Sequence, residues 1–352
     1  MRFFVAVIAT ISAAAASVHG LPVRPTGSSP TLHIFGDSLS DIGTLKEMTL
    51  GLVPPTPYWD GRFSSGPVWN EYLSLLLDYN LYNRAIGGST ANNNEATIID
   101  ILNFHIPSTQ DQINYFKFLH PLYTLDTTRN KDIAVLEVGA NDFFADQGSI
   151  ANGTLSVDSF IDTLSTAVVD QLDQLRNVGF KNIIVTNLAA IQYTPMARTG
   201  NGVAMATSAV TGYNSMLATK ANAWAKINSD ITFAISDIGG FVEVTVKSAA
   251  VISALGLTDT TDACTDSLNA SSFDALFSTA INGITACADP STSYFFDAVH
   301  PAERVHRLFG YYSWKAISAL LSGSTYELNE ANLLSLIKTY KLGTVAPKPA
   351  AI

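Results

Sequence analysis

Residues 31–39 read Thr-Leu-His-Ile-Phe-Gly-Asp-Ser-Leu. The apolar run 31–35 predicts a short buried β-strand, and the next four residues predict a small turn at its end. A serine at the tip of a strand is well placed to act as a nucleophile. Ser38 is therefore the candidate nucleophile of the chain. The alternative is that Ser38 caps the following helix, since serine is a favoured N-cap residue.

Strand-like and helix-like segments alternate along the rest of the chain. Segments 133–138 and 182–186 are β-branched and nearly continuous in apolar residues, as in parallel strands covered on both faces. The other predicted strands are 31–35, 81–86 and 231–235, and the predicted helices are 68–77, 110–119, 157–178, 204–226 and 303–321. This alternation predicts an α/β fold with a central parallel sheet and helices on both faces. Ligands bind such sheets at the carboxyl ends of the strands.

The length of 352 residues allows one large domain or two ordinary ones. We expect a signal peptide at 1–20, because Arg2 precedes an apolar stretch that is short for a membrane span. Cleavage after Ala16 and an uncleaved anchor are the alternatives. A flexible arm is expected at 21–30 and a single domain at 31–345. Within that domain, 240–295 is expected to be an insertion packed beside the last motif.

The chain is acidic and weakly charged. Charged residues make up 14% of it, and its formal net charge is −10 at pH 7. Nucleic acids and anionic membrane surfaces attract basic patches, so neither is expected as a partner. This charge favours neutral substrates and acidic surroundings. A small-molecule or oligosaccharide ester, the expected substrate, is compatible with it. We also expect no membrane span and a secreted, extracellular protein, and the oligomeric state is not predicted.

Two cysteines, Cys264 and Cys287, are present in a chain that is expected to be exported. One disulfide is the simplest prediction for such a pair, and two free buried thiols are the alternative. A metal site is not expected, because no cluster of histidine and cysteine accompanies them. Asn152 and Asn269 begin Asn-x-Ser/Thr triplets and are candidate N-glycosylation sites.

Three further segments carry groups suited to a reactive site. Asn83-Arg-Ala-Ile-Gly-Gly88 ends the second predicted strand, and its paired glycines let a backbone N–H approach a ligand. Asn141 follows the third strand and can donate a hydrogen bond into a cleft. Asp297 and His300 are three residues apart, so the carboxylate can bond one ring nitrogen and leave the other for Ser38. Turn formation by the glycines and Asn141, and helix capping by Asp297, are the structural alternatives.

Gly-Asp-Ser-Leu, Asn-x-x-x-x-Gly, Gly-x-Asn-Asp and Asp-x-x-His occur in this order along most of the chain. The ordered set resembles the four blocks of the SGNH or GDSL hydrolase family. The resemblance implies a flavodoxin-like three-layer α/β/α sandwich that hydrolyses acyl esters without a metal or organic cofactor. It implies that Ser38 is the nucleophile, that His300 is the general base and acid, and that Asp297 orients His300. The N–H groups of Ser38 and Gly88 and the side chain of Asn141 would form the oxyanion hole.

Within this family, the chain is most similar to secreted fungal acetylesterases of carbohydrate esterase family 16. The similarity lies in residues 35–43, 83–88 and 295–306. It implies the removal of acetyl groups from plant cell-wall oligosaccharides. Tyr58 and Trp59 follow the first block in a proline-rich loop. Their rings would either stack on a sugar at the rim of the cleft or pack the loop onto the body of the protein.

Two other functions stay open. A lipase or phospholipase acting on longer acyl chains would need an exposed apolar patch or a mobile lid near Ser38. The apolar, helix-like segment 241–257 is a candidate for that lid. A catalytically silent carbohydrate-binding protein on the same scaffold is the other alternative. The complete set of Ser38, Asp297 and His300 argues against it, because binding needs no nucleophile and base.

Overall fold

The computed structural model describes residues 29–344 except 96–97, 100–103, 127–128, 199–201 and 267–282. The predicted signal peptide, most of the flexible arm and the Asn269 triplet lie outside the described residues. The predicted domain limits and the insertion at 240–295 therefore stay predictions.

A parallel sheet forms the centre of the fold. The described strands are β1 Thr31–Gly36, β2 Asn80–Asn83, β3 Ile98–Ile99, β4 Phe104–His105, β5 Ile133–Glu137, β6 Asn182–Thr186, β7 Thr232–Ser236, β8 Asp259–Ala263 and β9 Ser293–Phe295. Five of them pair in parallel in the order β2-β1-β5-β6-β7. β3 pairs antiparallel with β4, and β8 pairs parallel with β9. The strand order reverses between β1 and β5, and their carboxyl ends are where this type of sheet binds ligands.

Helices cover both faces of the sheet. They are α1 Thr44–Met48, α2 Trp69–Leu77, α3 Thr109–Leu119, α4 Ala140–Ala151, α5 Val157–Val178, α6 Gly202–Ile227, α7 Ile238–Lys247, α8 Ala249–Leu255, α9 Glu303–Leu321 and α10 Glu330–Tyr340. Buried residues of α3, α5 and α6 pack around Phe35 and Leu136. Those of α2 and α7–α10 pack around Ile34 and Val135. Neighbouring strand residues point to opposite faces, so the predicted three-layer α/β/α sandwich is confirmed.

Most predicted elements lie within a few residues of the observed ones, and two differ for a physical reason. β2 ends at Asn83, where Asn83 Oδ1 accepts the Ala85 N–H at 2.8 Å and begins a turn. Segment 241–257 is two helices and not one. Ser248 follows α7 and caps α8, because its hydroxyl accepts the Val251 N–H at 3.0 Å.

The apolar face of α7 and α8 is turned into the protein. Phe241, Val251 and Leu255 are buried among the residues that cover the sheet. The candidate lid at 241–257 is therefore wrong, because its apolar side chains belong to the core. No single helix in the described part of the chain has the length and apolar character to cross a bilayer. α7 and α8 reach the required length and apolar character only when they are taken together, and a bend of 88° separates them.

Cys264 and Cys287 form the predicted disulfide, with their Cα atoms 4.9 Å apart. The Cys264 N–H donates to the Phe295 carbonyl oxygen at 3.1 Å, and the Thr265 N–H donates to that of Phe296 at 2.9 Å. These bonds tie the disulfide to β9. Asp297 follows two residues after the end of that strand, so the cross-link supports the segment that carries the last motif.

α2 and α9 cross closely at Gly310. A Cβ atom at this position would lie 2.8 Å from the Trp69 carbonyl oxygen and 2.7 Å from Tyr72 Cβ. Neither atom can move away without a shift of the α2 backbone. The absence of a side chain at Gly310 therefore sets the distance between the two helices.

We expect Gly310→Ala to lower the free energy of unfolding by about 1–3 kcal/mol, the usual cost of overpacking a core. Gly148 is the matched control, because it lies inside α4 and, beyond the backbone of its own helix and its two chain neighbours, no described atom lies within 4 Å of its Cβ position. Gly148→Ala should raise the free energy of unfolding by about 0.5–1 kcal/mol. Urea denaturation measures both changes. If both variants were stabilised, the helix spacing would not depend on Gly310.

Candidate active site

Ser38 lies in the turn that follows β1, where the strand order of the sheet reverses. The Asp41 N–H donates to the Asp37 carbonyl oxygen at 3.0 Å and closes this turn. Gly36 leaves no room for a side chain, because a Cβ atom would lie 2.9 Å from the carbonyl oxygen of Glu137 on β5. Ser38 is buried. The turn is thus packed tightly against the neighbouring strand.

His300 lies between Ser38 and Asp297. Its Nε2 atom is 2.7 Å from Ser38 Oγ, and its Nδ1 atom is 2.7 Å from Asp297 Oδ2. Asp297 Oδ1 accepts the backbone N–H groups of Val299 and His300 at 2.9 and 2.7 Å, which holds the turn after β9. A proton on Nδ1 leaves Nε2 as an acceptor for the Ser38 hydroxyl. The structure therefore brings together the three residues that the motif spacing singled out.

The Asp297 carboxylate is fully enclosed yet stays ionised. Burial alone would raise the pKa of this carboxyl group. The positive charge of protonated His300 and hydrogen bonds from His300, Tyr58 and Val299 outweigh burial and hold the pKa of Asp297 below its usual value. A carboxylate at Oδ2 favours the His300 tautomer that carries its proton on Nδ1.

The predicted oxyanion donors lie beyond the ends of β2 and β5. The Gly87 N–H donates to Asp41 Oδ2 at 2.7 Å. Gly88 has a φ of 86°, a left-handed conformation that favours glycine. Asn141 Nδ2 donates one hydrogen to the Ser89 carbonyl oxygen at 2.9 Å. Its amide group carries a second hydrogen that can serve a ligand.

Asp41 joins the start of α1 to the segment of Gly87, although it is not among the residues predicted from the sequence. Its carboxylate accepts the N–H groups of Gly43, Thr44 and Leu45 at 2.8, 2.6 and 3.1 Å, in addition to that of Gly87. Burial raises the pKa of Asp41 to about 6, against the lowering effect of these N–H groups. Its place just before a short helix is the one available sequence signal, since Asp often caps helix starts.

Two other buried polar side chains hold the turn. Gln112 on α3 accepts the Gly36 N–H at 2.9 Å and donates to the Gly36 carbonyl oxygen at 2.8 Å. Glu137 at the end of β5 accepts a hydrogen bond from the Ser40 hydroxyl at 2.9 Å. No local pattern separates these residues from other polar residues of a helix or strand. Their contribution becomes visible only in the structure.

Tyr58 does not lie at the rim of the cleft. Its side chain is 6% exposed, its ring packs against Phe63 and Phe296, and its hydroxyl donates to Asp297 Oδ2 at 2.5 Å. A ring enclosed in this way cannot stack on a sugar, so the tentative substrate-binding role of Tyr58 is corrected. Trp59 is half-buried with the Arg62 guanidinium over its ring. Its role in substrate binding stays a prediction.

Two further histidines are buried and structural. Burial and the nearby charge of His300 lower the pKa of His306 to about 3, so it is neutral at ordinary pH. His33 lies among aromatic rings with Nε2 3.5 Å from Asp132 Oδ2, and burial lowers its pKa. In the part of the chain that the structure covers, no group of three or more His, Cys, Asp or Glu residues is placed to hold a metal ion.

Asp37 and Glu137 form a buried carboxyl pair beside Ser38. Burial, and after it the charge of Glu137, hold the pKa of Asp37 well above its usual range, and a hydrogen bond joins the two groups. Asp37 Oδ1 accepts the Leu39 N–H at 3.0 Å. No N–H or O–H donor from the described residues reaches the buried Oδ2 atom. We therefore assign the shared proton to Asp37 Oδ2.

Asp37→Asn keeps the hydrogen bond from the Leu39 N–H and the one to Glu137, because the amide group donates to Glu137 as the protonated carboxyl did. Folded wild-type protein retains the Asp37 proton at pH values where the unfolded chain has lost it, so its stability falls as the pH rises above about 4. We expect the melting temperature of Asp37→Asn, relative to wild type, to increase steadily between about pH 5 and 8. Thermal unfolding over this range measures the difference.

Asp230→Asn is the control for this prediction. Asp230 is on the surface, where a hydrogen bond from Lys181 lowers the pKa of its carboxyl group. It is ionised throughout the same pH range, so the offset between Asp230→Asn and wild type should stay constant. A constant offset for Asp37→Asn as well would show that Asp37 does not carry the proton.

Comparison with known proteins extends the match beyond the motifs. A family model described as GDSL-like Lipase/Acylhydrolase matches residues 32–312. The phosphatidylcholine-sterol acyltransferase of Aeromonas hydrophila is 29% identical over 225 residues, covering 61% of this chain and 59% of that protein. The thermolabile hemolysin of Vibrio parahaemolyticus is 25% identical over 276 residues, covering 78% of this chain and 60% of that protein. The chain thus spans about 60% of the length of these two relatives.

A solved structure, that of Est24, a carbohydrate acetylesterase from Sinorhizobium meliloti, aligns with a TM-score of 0.43 at 12% identity. The alignment covers 83% of this chain and all of that one. A likeness at this distance carries no inference about substrate. The family model, in contrast, covers most of the chain and includes Ser38, Gly88, Asn141, Asp297 and His300. The chain therefore belongs to the GDSL-like lipase/acylhydrolase family.

Proposed function

We propose that the protein is a serine esterase that hydrolyses acyl esters with Ser38 as its nucleophile. The observation that carries this proposal is the position of His300, with Nε2 2.7 Å from Ser38 Oγ and Nδ1 2.7 Å from Asp297 Oδ2. A serine hydroxyl becomes an effective nucleophile when a neighbouring base can take its proton. Burial of an ionised Asp297 on the far side of the ring supports the positive charge that His300 then acquires.

The proposed reaction has two halves. Ser38 Oγ attacks the ester carbonyl carbon while its proton moves to His300 Nε2. The tetrahedral intermediate collapses, His300 returns the proton to the leaving alcohol, and an acyl group remains on Ser38. Water then attacks this acyl-enzyme with His300 again as the base, which releases the carboxylic acid and restores Ser38.

The negative oxygen of each intermediate is assigned to the N–H groups of Ser38 and Gly88 and the side chain of Asn141. The Gly87 N–H donates to Asp41 Oδ2, and Gly88 is the glycine that lies five residues after Asn83, as in the family block. The Asn141 amide is held by Ser89 and does not have to be ordered during the reaction. Each such donor contributes about 3–4 kcal/mol to the stability of the transition state.

We propose short acyl groups, acetyl above all, on plant cell-wall oligosaccharides as the substrate. The support is the similarity of residues 35–43, 83–88 and 295–306 to fungal acetylesterases. Burial of the apolar face of 241–257 removes the segment that would have served as a lipase lid. The relatives that are named as an acyltransferase and a hemolysin keep longer-chain lipid esters as the second candidate.

We also propose that the protein is secreted and N-glycosylated. The apolar segment after Arg2 has the character of a signal peptide. Asn152 is exposed at the end of α4, and its Oδ1 atom accepts hydrogen bonds from the N–H and the hydroxyl of Thr154 at 2.9 and 2.6 Å. The intact mass of the protein from culture medium, before and after deglycosylation, tests both points. An unprocessed N-terminus and an unchanged mass would contradict them.

Ser38→Ala should abolish both hydrolysis of p-nitrophenyl acetate and covalent labelling by a fluorophosphonate. Loss of the nucleophile in a serine hydrolase of this kind lowers kcat by about 10⁴–10⁶-fold. Gel fluorescence of the labelled protein and initial rates measure the two effects. Ser40→Ala is the comparison variant. The Ser40 hydroxyl donates to Glu137 and is not expected to react, so the reagent should still label this variant at Ser38. A wild-type protein that folds but is not labelled would favour the binding-protein alternative.

A panel of esters tests the proposed substrate. We expect kcat/KM to fall from p-nitrophenyl acetate through butyrate to palmitate, and to be highest on an acetylated xylo-oligosaccharide. The physical reason is that a short acyl group needs no extended apolar surface at the site. Preference for palmitate by tenfold or more, which is about 1.4 kcal/mol in transition-state binding, would replace the acetylesterase proposal by the lipase alternative.

A further inference from the structure

Asp297 receives one hydrogen bond from a distant part of the chain. The Tyr58 hydroxyl donates at 2.5 Å to Oδ2, the same oxygen that is 2.7 Å from His300 Nδ1. The other oxygen, Oδ1, accepts two backbone N–H groups of its own turn. Within the described part of the chain, the carboxylate therefore has four hydrogen bonds. Three come from the turn itself, and Tyr58 supplies the fourth from 239 residues away.

We propose that Tyr58 is a positioning residue of the reaction, acting through Asp297 on the proton affinity of His300. The inference rests on the proposed function of Ser38 and His300. A hydrogen bond to Oδ2 stabilises the negative charge of Asp297 most when His300 is neutral, because protonated His300 already neutralises that charge. Tyr58 thus favours the unprotonated, active form of the pair. It also limits rotation of the carboxylate away from the imidazole.

The surroundings of Tyr58 hold its hydroxyl in one place. Its ring makes edge contacts with Phe63 and Phe296, at 5.8 and 5.2 Å between ring centroids. The Tyr58 N–H donates to the Pro55 carbonyl oxygen at 3.0 Å. Phe63 in turn lies over the imidazole of His300 at 5.1 Å. One loop therefore contacts both Asp297 and His300.

The same loop is joined to the backbone on the other side of His300. Ser64 Oγ donates to the Pro301 carbonyl oxygen at 3.2 Å, and Ser65 Oγ accepts the Glu303 N–H at 3.0 Å. Tyr58 therefore belongs to a segment that is hydrogen-bonded to the chain both at Asp297 and just after His300.

Other titratable groups also act on His300. Glu137 beside the nucleophile turn is one, with a pKa that burial raises, and His306 on α9 is another, neutral at ordinary pH. Neither is replaced in the experiment below. Phe63 and Phe296, which pack against the Tyr58 ring, are apolar, and Tyr58→Phe removes a hydroxyl without adding or removing a charge. A change in pH dependence can then be assigned to the bond on Asp297.

The test is the pH dependence of p-nitrophenyl acetate hydrolysis by Tyr58→Phe between about pH 4.5 and 9. Loss of the donor should favour the protonated Asp297–His300 pair, so the acidic limb of kcat/KM should move to higher pH by about 0.5–1 unit. We expect the plateau kcat to fall by up to about tenfold, because the carboxylate is held less firmly. KM should stay within about twofold, because Tyr58 is enclosed and does not meet the substrate.

A second variant reverses the sign of the effect. Replacement of Tyr58 by 3-fluorotyrosine keeps the shape of the side chain but makes its hydroxyl a stronger donor. The acidic limb should then move to lower pH than in wild type. This variant also decides the question if Tyr58→Phe does not fold, since it preserves every contact of the ring except for one added fluorine.

Tyr294→Phe is the matched control. Tyr294 on β9 is fully buried, and its hydroxyl lies 2.7 Å from Thr245 Oγ1, away from Asp297. Its loss should lower the melting temperature and leave the acidic limb in place. An unmoved limb in both Tyr58 variants, or an equal shift in Tyr294→Phe, would overturn the inference. Absence of Ser38-dependent hydrolysis in wild type would overturn the proposed function itself, and the role of Tyr58 with it.

Discussion

The Asp41 carboxylate is the constraint on which the relative placement of the Ser38 turn and the Gly87 segment depends. It gathers N–H groups from the start of α1 and from Gly87, two segments that are far apart in the chain. A buried carboxylate is tolerated only where such donors compensate for lost water. Because its two oxygens serve both segments at once, the turn of Ser38 and the backbone of Gly88 cannot move independently. Ser38, the proposed nucleophile, and Gly88, a proposed oxyanion donor, are thus placed by a residue that has no proposed role in the chemistry.

The order of strands and helices could be predicted because it depends on local information. Buried strands such as 133–138 are nearly continuous in apolar residues. Helix α5 repeats its apolar residues at helical spacing, so each pattern can be recognised from a short stretch of sequence. The pairing of Asp297 with His300 is local in the same sense, since three residues separate them. The contact of His300 with Ser38 joins residues 262 positions apart. The resemblance of the ordered motifs to a known family supports that contact.

The parts that could not be predicted depend on contacts between distant segments. Gln112 bonds both backbone groups of Gly36 only because α3 lies beside the end of β1. The position of Tyr58 also depends on a contact between distant segments. An aromatic residue with a hydroxyl suits both a cleft rim and a buried position with a polar partner. The partner that decides between them, Asp297, is near the other end of the chain.

The division of the site along the chain has a consequence for synthesis. Ser38, Gly88 and Asn141 belong to the first half of the protein, whereas Asp297 and His300 come from its last quarter. A ribosome adding roughly 5–20 residues per second completes the nucleophile and oxyanion segments several seconds or more before the base. A nascent chain therefore carries Ser38 without the histidine that is proposed to activate it. The proposed hydrolysis can begin only when the segment of Asp297 and His300 has docked.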